Sequence, residues 1–447
     1  MLNGAIAPLL LKMSTPSAIA FLLQSLVSLA EIGFVSQLGT TPLAALALIF
    51  PALMLMQMLS NGSIGGAVAS SMARTLGNGD LDTANRIVWH AMFIALCAGS
   101  VFLMIFTCLG EALVNATGVS TEVAISALDY GAILFPGAFF IWLTALLSSL
   151  YRGTGDMRTP ALTLAIGSLL QIPLSGALIL GWFGLPALGL RGSAAALLLV
   201  SLISSLILLV GLFNHRTALR PKLSNSKLNR KVLSDIFQVG APASVSPLLT
   251  VGIVFVSNSL VGTFGDAALA GYGIVSRIEF LLIPLVFGIG AALTALVGVN
   301  MGAGQKDRAV RIAWLGGAMS ASLTGSIGLL LVLWPNILLD PFTNDPVVWN
   351  SGRQYLSIVG PVFAFQGIGF ALYFAAQGGG NVTLPIIAAA LRFSIVASLG
   401  FYTQHDGNLT LEILYLALAI AMVAYGLVSA SSLRFGWGAD RNLPKSN

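Results

Sequence analysis

Apolar runs of about 20 or more residues, each closed by turn-forming or charged residues, recur along the chain and predict membrane-spanning helices. They fall near 9–37, 43–71, 87–112, 125–151, 159–183 and 191–214, and again near 236–263, 268–298, 310–334, 352–376, 382–403 and 411–434. One long polar and basic run, HRTALRPKLSNSKLNRK from His215 to Lys231, parts the twelve into six and six. The pattern predicts a first lobe over 1–214, a basic linker over 215–235, a second lobe over 236–434 and a tail over 435–447.

The two sets repeat each other. Tyr130 and Pro136 return as Tyr355 and Pro361, a displacement of 225 residues, and RGTGDMRTP (152–160) returns in the same register as QGGGNVTLP (377–385). In that register Gly77, Gly79, Ala84, Arg86 and Trp89 return as Gly302, Gly304, Ala309, Arg311 and Trp314, while Pro16 and Gly39 match Pro242 and Gly265 at 226. An even number of helices brings the second set into the membrane in the orientation of the first. The expected fold class is therefore an all-α polytopic membrane protein of twelve transmembrane helices in two parallel six-helix repeats, with a substrate site expected between the lobes.

Composition excludes the soluble classes. The chain is 57% hydrophobic and 8% charged, where a soluble domain carries about 25% charged residues. The net charge of +5 is thus no footprint for nucleic acid, and its distribution matters more. With the N-terminus inside, 17 of the 21 basic residues fall on inner segments, and only Arg191 and Arg353 fall on outer ones. This bias predicts that both termini are cytoplasmic. Lys12 is the only early charge, and the apolar segment after it is too long for a signal-peptide core. Cys97 and Cys108, 11 residues apart on one helix, are separated by about 16 Å of rise, too far for a disulfide. Both are expected to be small core residues.

Candidate chemistry starts in the first helix. Ser17, Gln24, Ser28 and Glu31 are spaced +7, +4 and +3 and form one narrow polar stripe. An acid at that depth costs roughly 2.5–3.5 kcal/mol on insertion scales, so it faces protein or a watered path and reads as functional. The bland alternative is a Glu satisfied by a neighbouring helix for structural reasons. On the fifth helix Ser168, Gln171 and Ser175 make a second stripe, with Pro173 loosening the backbone. Gln171 and Ser175 can bond Glu31 or line its cavity, or simply join helices. Pro16 and Pro242 are expected near the starts of the first and seventh helices, as hinges or passive kinks. On the eighth helix Arg277 and Glu279 are about 200° apart and face different neighbours. Arg392 can partner Glu279, leaving Arg277 for carbonyls or Asp266, and a structural ion pair is the preferred reading there. Glu31 has no comparable intramembrane cation in its own half.

Other signatures fail. Gly153-Thr154-Gly155-Asp156 resembles an aspartyl intramembrane-protease motif but lies in a basic loop without a second buried Asp, and Gly62-Ser63-Ile64-Gly65 is a poor serine elbow. There is no Walker A sequence, and His90, His215 and His405 show no metal-ligand spacing. Neither metal nor cofactor is expected. Met54, Met56 and Met58 read as packing, although methionine also suits an adaptable cavity.

With these residues placed, the chain resembles the multidrug and toxic compound extrusion (MATE) transporters over nearly its whole length. The likeness rests on PSAIAFLLQSLVSLAEIGFVSQLG, LGNGDLDTANR with its repeat MGAGQKDRAVR, YRGTGDMRTP with its repeat QGGGNVTLP, and AGYGIVSRIEFLLIP, which looks like the bacterial branch. The resemblance implies secondary active efflux of amphipathic organic cations by alternating access, driven by H⁺ or Na⁺, in a bacterial inner membrane. Glu31 matches the family's first-helix acid with one extra methylene, Gln24 a polar position before it, and Pro16 the proline whose bending rearranges the cavity. Where many members have Asn and Asp on the fifth helix, this chain has Gln171 and Ser175. The expected coupling set is Glu31, Gln171 and Ser175, and the expected substrate cavity is Gln24, Ser28, Glu31 and Ser168. H⁺ is favoured over Na⁺, because a lone carboxylate takes a proton easily whereas Na⁺ needs several placed oxygens. The expected partners are small organic cations and the lipid bilayer, not nucleic acid, and a monomer is compatible with the chain. The runner-up reading is a flippase for a lipid-linked saccharide, and a remote one is an intramembrane enzyme.

Overall fold

The computed structural model describes residues 1–214, 219–222 and 226–435, with the side chains of Phe280, Arg434 and Phe435 set aside. His215 and Arg216 of the basic linker, and the tail with Arg441 and Lys445, lie outside the described residues. Everything described is helix or connecting turn, with no strand among the described residues.

In the first half the helices are α1 (Ile6–Ser36), α2 (Thr40–Gln57), a π-turn (Met58–Ser63), α3 (Ile64–Gly77), α4 (Leu81–Asn115), α5 (Thr121–Leu134), α6 (Ala138–Thr154), α7 (Arg158–Leu180) and α8 (Leu190–Phe213). The second half has α9 (Arg230–Ala243), α10 (Val245–Gly262), α11 (Asp266–Gly302), α12 (Lys306–Leu333), short α13 (Asn336–Leu339), α14 (Pro346–Val359), α15 (Phe363–Gly379), α16 (Thr383–His405) and α17 (Leu411–Phe435). Among the described residues, 11 helical stretches are long and apolar enough to cross a membrane, and 12 if α5 and α6, bent by 53° at their break, form one span. That break falls at Pro136, where the missing N–H leaves the ladder open. At the repeated Pro361 a 3₁₀ turn, Gly360–Val362, separates α14 from α15 in the same way.

The repeated loop glycines have a shared conformational reason. Gly155 and Gly380 close α6 and α15 in the left-handed region, at φ 90° and 81°, a conformation nearly free for glycine and costly for other residues. Gly153 and Gly378 sit at helix crossings so close that a Cβ would fall 2.7 Å from the Ala69 carbonyl oxygen and 2.6 Å from that of Thr294. Asp156, in the rejected protease-like motif, caps α7 instead, accepting from the Thr159 N–H at 3.0 Å and the Thr159 hydroxyl at 2.6 Å.

The described chain forms two compact units, Thr15–Gly240 and Met1–Ser14 with Ala241 onward. In the first, α6 is fixed to α8 by Thr144 donating to the Ser201 carbonyl (2.8 Å) and Tyr151 to that of Leu208 (2.9 Å). The linker belongs here too. Asn85 accepts from the Arg220 N–H, the Trp89 indole donates to the Lys222 carbonyl, and His90 accepts from the Asn229 N–H at 2.8 Å. Asp235, on the first turns of α9, takes Ser71 at 2.6 Å and Arg74 at 2.8 Å. In the second unit, Thr294 and Thr324 donate to the carbonyls of Phe374 and Phe363. Residues 1–14, placed by the sequence in the first lobe, group with this second unit instead. Asn300 and Arg308 hold the carbonyls of Met1 (3.5 Å) and Gly4 (2.9 Å).

Two further expectations change. Cys97 and Cys108 are exposed rather than core residues, on the outer side of α4. Pro16 stands ten residues inside α1, not near its start, and the helix runs through it, whereas Pro242 stands at the end of α9, just before the break at Ser244.

Candidate functional site

Glu31 is half-buried on α1 and accepts a hydrogen bond from the Ser193 hydroxyl on α8. Tyr130, 1% exposed on α5, lies within range of the Glu31 charge and of Ser193. Three helices thus converge on one carboxyl. Glu31 has no salt bridge among the described residues, and the nearby Arg191 pairs with Asp129 at 2.8 Å instead.

The sequence pointed to Gln171 and Ser175 as the partners of Glu31, and the structure places both elsewhere. Gln171 lines a cavity of about 70 Å³ with Gln24, Ser168, Gln57, Asn61 and Ser148, large enough for several waters. The Ser148 hydroxyl, buried and unpartnered among the described residues, lines the same space. Gln24 and Ser168 therefore share a cavity. Glu31 and Ser28 are not on its walls: Ser28 is exposed and turns back to the Gln24 carbonyl at 3.4 Å. Ser175 is buried off the cavity, its hydroxyl unpartnered among the described residues.

Gln57 and Asn61 reach the cavity through the π-turn Met58–Ser63. One extra residue in a turn rotates the downstream helix relative to a regular one and frees carbonyls, and Asn61 Nδ2 takes that of Gln57 at 3.3 Å. A periodicity of 3.6 cannot register such a turn. Ser193 and Tyr130 carried weak signals: a lone serine on an apolar helix, and a tyrosine conspicuous only because it recurs as Tyr355.

In the second unit Glu279 accepts from the Tyr355 hydroxyl, and its other oxygen lies 3.7 Å from Arg392 Nη2. Arg392 also lies over the Tyr425 ring at 5.7 Å. Arg277 is exposed. No group of three potential metal ligands occurs among the described residues.

The MatE family model matches residues 16–176 and 242–402, two stretches of equal length that begin at Pro16 and Pro242. The chain belongs to the MATE family. Like its members it is a membrane transporter, not an enzyme. Relatives of this MATE transporter include a probable multidrug resistance protein NorM of Thermotoga maritima, 28% identical over 85% of this chain and 81% of that one. An FAD transporter of Shewanella oneidensis is 26% identical over 90% of each. Among solved structures, an outward-facing multidrug resistance MATE transporter superposes with TM-score 0.89 at 25% identity, covering 98% of this chain and 97% of that one.

Proposed function

We propose that this MATE transporter exports small amphipathic organic cations by alternating access, in exchange for protons entering the cell, with Glu31 as the coupling group. The observation that carries the reading is a carboxyl on a lipid-embedded helix, held by the Ser193 hydroxyl, with Tyr130 beside that serine and no basic partner among the described residues. A group of that kind changes its charge as its surroundings lose and gain water, and two packings of α1 then respond to its protonation. A cationic substrate competes with the proton for the same negative charge. Gln24, Ser168 and Gln171, around the first-unit cavity, supply polar contacts for substrate or water, and Ser175 has only a minor part. Exchanging one proton for one monovalent cation moves no net charge, so the pH gradient drives that exchange. A membrane potential of 100 mV adds about 2.3 kcal/mol only for each proton carried beyond that ratio. H⁺ is preferred to Na⁺ because a carboxyl with one hydroxyl partner takes a proton readily, whereas Na⁺ needs several placed oxygens. The proposed setting is a bacterial inner membrane, with both termini cytoplasmic.

The relatives' names, multidrug resistance in one and FAD in another, favour small-molecule cargo and put FAD on the assay panel. The test is efflux of dye cations from proteoliposomes under imposed pH or Na⁺ gradients. Wild-type protein should respond to the pH gradient. Glu31→Gln should abolish the response while remaining folded and inserted. Undiminished pH-driven efflux in that variant would sink the coupling role, and a response to Na⁺ alone would reassign the ion.

A further inference from the structure

Arg392 is buried on α16, 7% exposed, and forms no hydrogen bond with the described residues. Its nearest counter-charge, Glu279, is 3.7 Å away, beyond N–H···O bonding distance, and the other oxygen of that carboxyl accepts from Tyr355. A guanidinium has five donors in a fixed fork, and leaving them unused in a buried site is costly. They need an acceptor.

Beside the guanidinium is a cavity of about 10 Å³, the size at which one water or a monatomic ion fits. Its walls include Arg392, Tyr425, Ser246, Thr250 and Phe370, and no acidic residue. The Tyr425 hydroxyl, on a residue 2% exposed, has no partner among the described residues. Thr250 already donates to the Ser246 carbonyl at 2.9 Å. The free hydrogen-bonding capacity is thus a cation and two hydroxyls, an arrangement that collects negative charge.

We propose that Arg392, Tyr425 and Ser246 form a site for a small monovalent anion such as chloride, filled when Glu279 carries a proton. While Glu279 is ionised it balances Arg392 and repels an anion. Once it is neutral, the guanidinium charge is left to whatever occupies the cavity. The other titratable groups facing this pair are Tyr272 on α11 and Tyr355 on α14, with Tyr415 on α17 packed against both tyrosines. None of them carries a compensating charge at neutral pH. Anion binding and proton uptake therefore favour each other, as reciprocal linkage requires.

The experiment uses full-length transporter in lipid nanodiscs, titrating chloride against gluconate at constant ionic strength while following thermal unfolding by tryptophan fluorescence at pH 5.5 and pH 8. Chloride should stabilise saturably at pH 5.5, with a half-saturating concentration at least tenfold lower than at pH 8. Glu279→Gln should show the low-pH behaviour at both. Arg392→Gln should lose the chloride effect, and Tyr425→Phe, which removes one oxygen from the cavity, should weaken it severalfold. Bromide anomalous scattering in crystals grown at low pH should place a peak beside Arg392. Equal stabilisation by gluconate, a chloride response retained in Arg392→Gln, or wild-type pH dependence in Glu279→Gln overturns the proposal.

Discussion

Each half of the chain sets a duplicated tyrosine near a half-buried acid, yet the acids themselves are not duplicates. Tyr130 stands by Glu31 and Tyr355 donates to Glu279, but at the repeat spacings Glu31 corresponds to Ser257 and Glu279 to Met54. The tyrosine positions are shared, while the charge sits on the first helix of one half and the second helix of the other. Ser193→Ala should therefore weaken pH-driven efflux without abolishing it. A hydrogen bond to a charged group contributes about 1.5–3 kcal/mol, so the loss should be roughly tenfold or more in the proton dependence of transport. Ser175→Ala, off the cavity, should change it little, and dye efflux against a pH series distinguishes the two. Glu31, Gln24 and Gln171 were legible in the sequence because amides and acids are conspicuous in an apolar helix. Ser193 was not, since a single hydroxyl is cheap there and only packing decides which helix face it meets.

At the scale of helices, spans were readable because lipid demands long apolar runs, and the repeat register pairs Pro136 with Pro361, where the helices break. The π-turn Met58–Ser63 and its cavity residues Gln57 and Asn61 were not readable, since they depend on one surplus residue that leaves no mark on hydrophobicity. The close crossings make a sharper forecast. Gly378→Ala puts a methyl 2.6 Å from the Thr294 carbonyl oxygen, whereas a methyl at Gly273 on α11 meets nothing within 4 Å. Gly378→Ala should cost about 1–3 kcal/mol of stability, and Gly273→Ala should be neutral or slightly stabilising. Thermal unfolding of the two purified proteins, side by side, is the check. Equal melting temperatures would mean that the α11–α15 crossing relaxes freely.

For the chain as a whole, the twelve-span plan and its duplication came from pattern alone, but the ownership of the connecting segments did not. Hydropathy sees one continuous first helix, and nothing in it signals that Asn300 and Arg308 claim the opening residues, or that Asp235 is claimed by Arg74 and Ser71. Replacing Asp235 with Asn should leave transport intact and shift stability by no more than about 1 kcal/mol, because the Asp235–Arg74 pair is partly exposed. A larger loss would assign this pair more than a surface role.

The grouping of residues 1–14 with the later-made unit, and of Asn229–Gly240 with the earlier one, bears on biogenesis. The first fourteen residues leave the ribosome before any of their packing partners exist, and must wait until Asn300 and Arg308 have been synthesised. Severing the gene after residue 214 would leave each fragment lacking a stretch of helix that the other encodes. Co-translated together, the fragments should recover what neither yields alone.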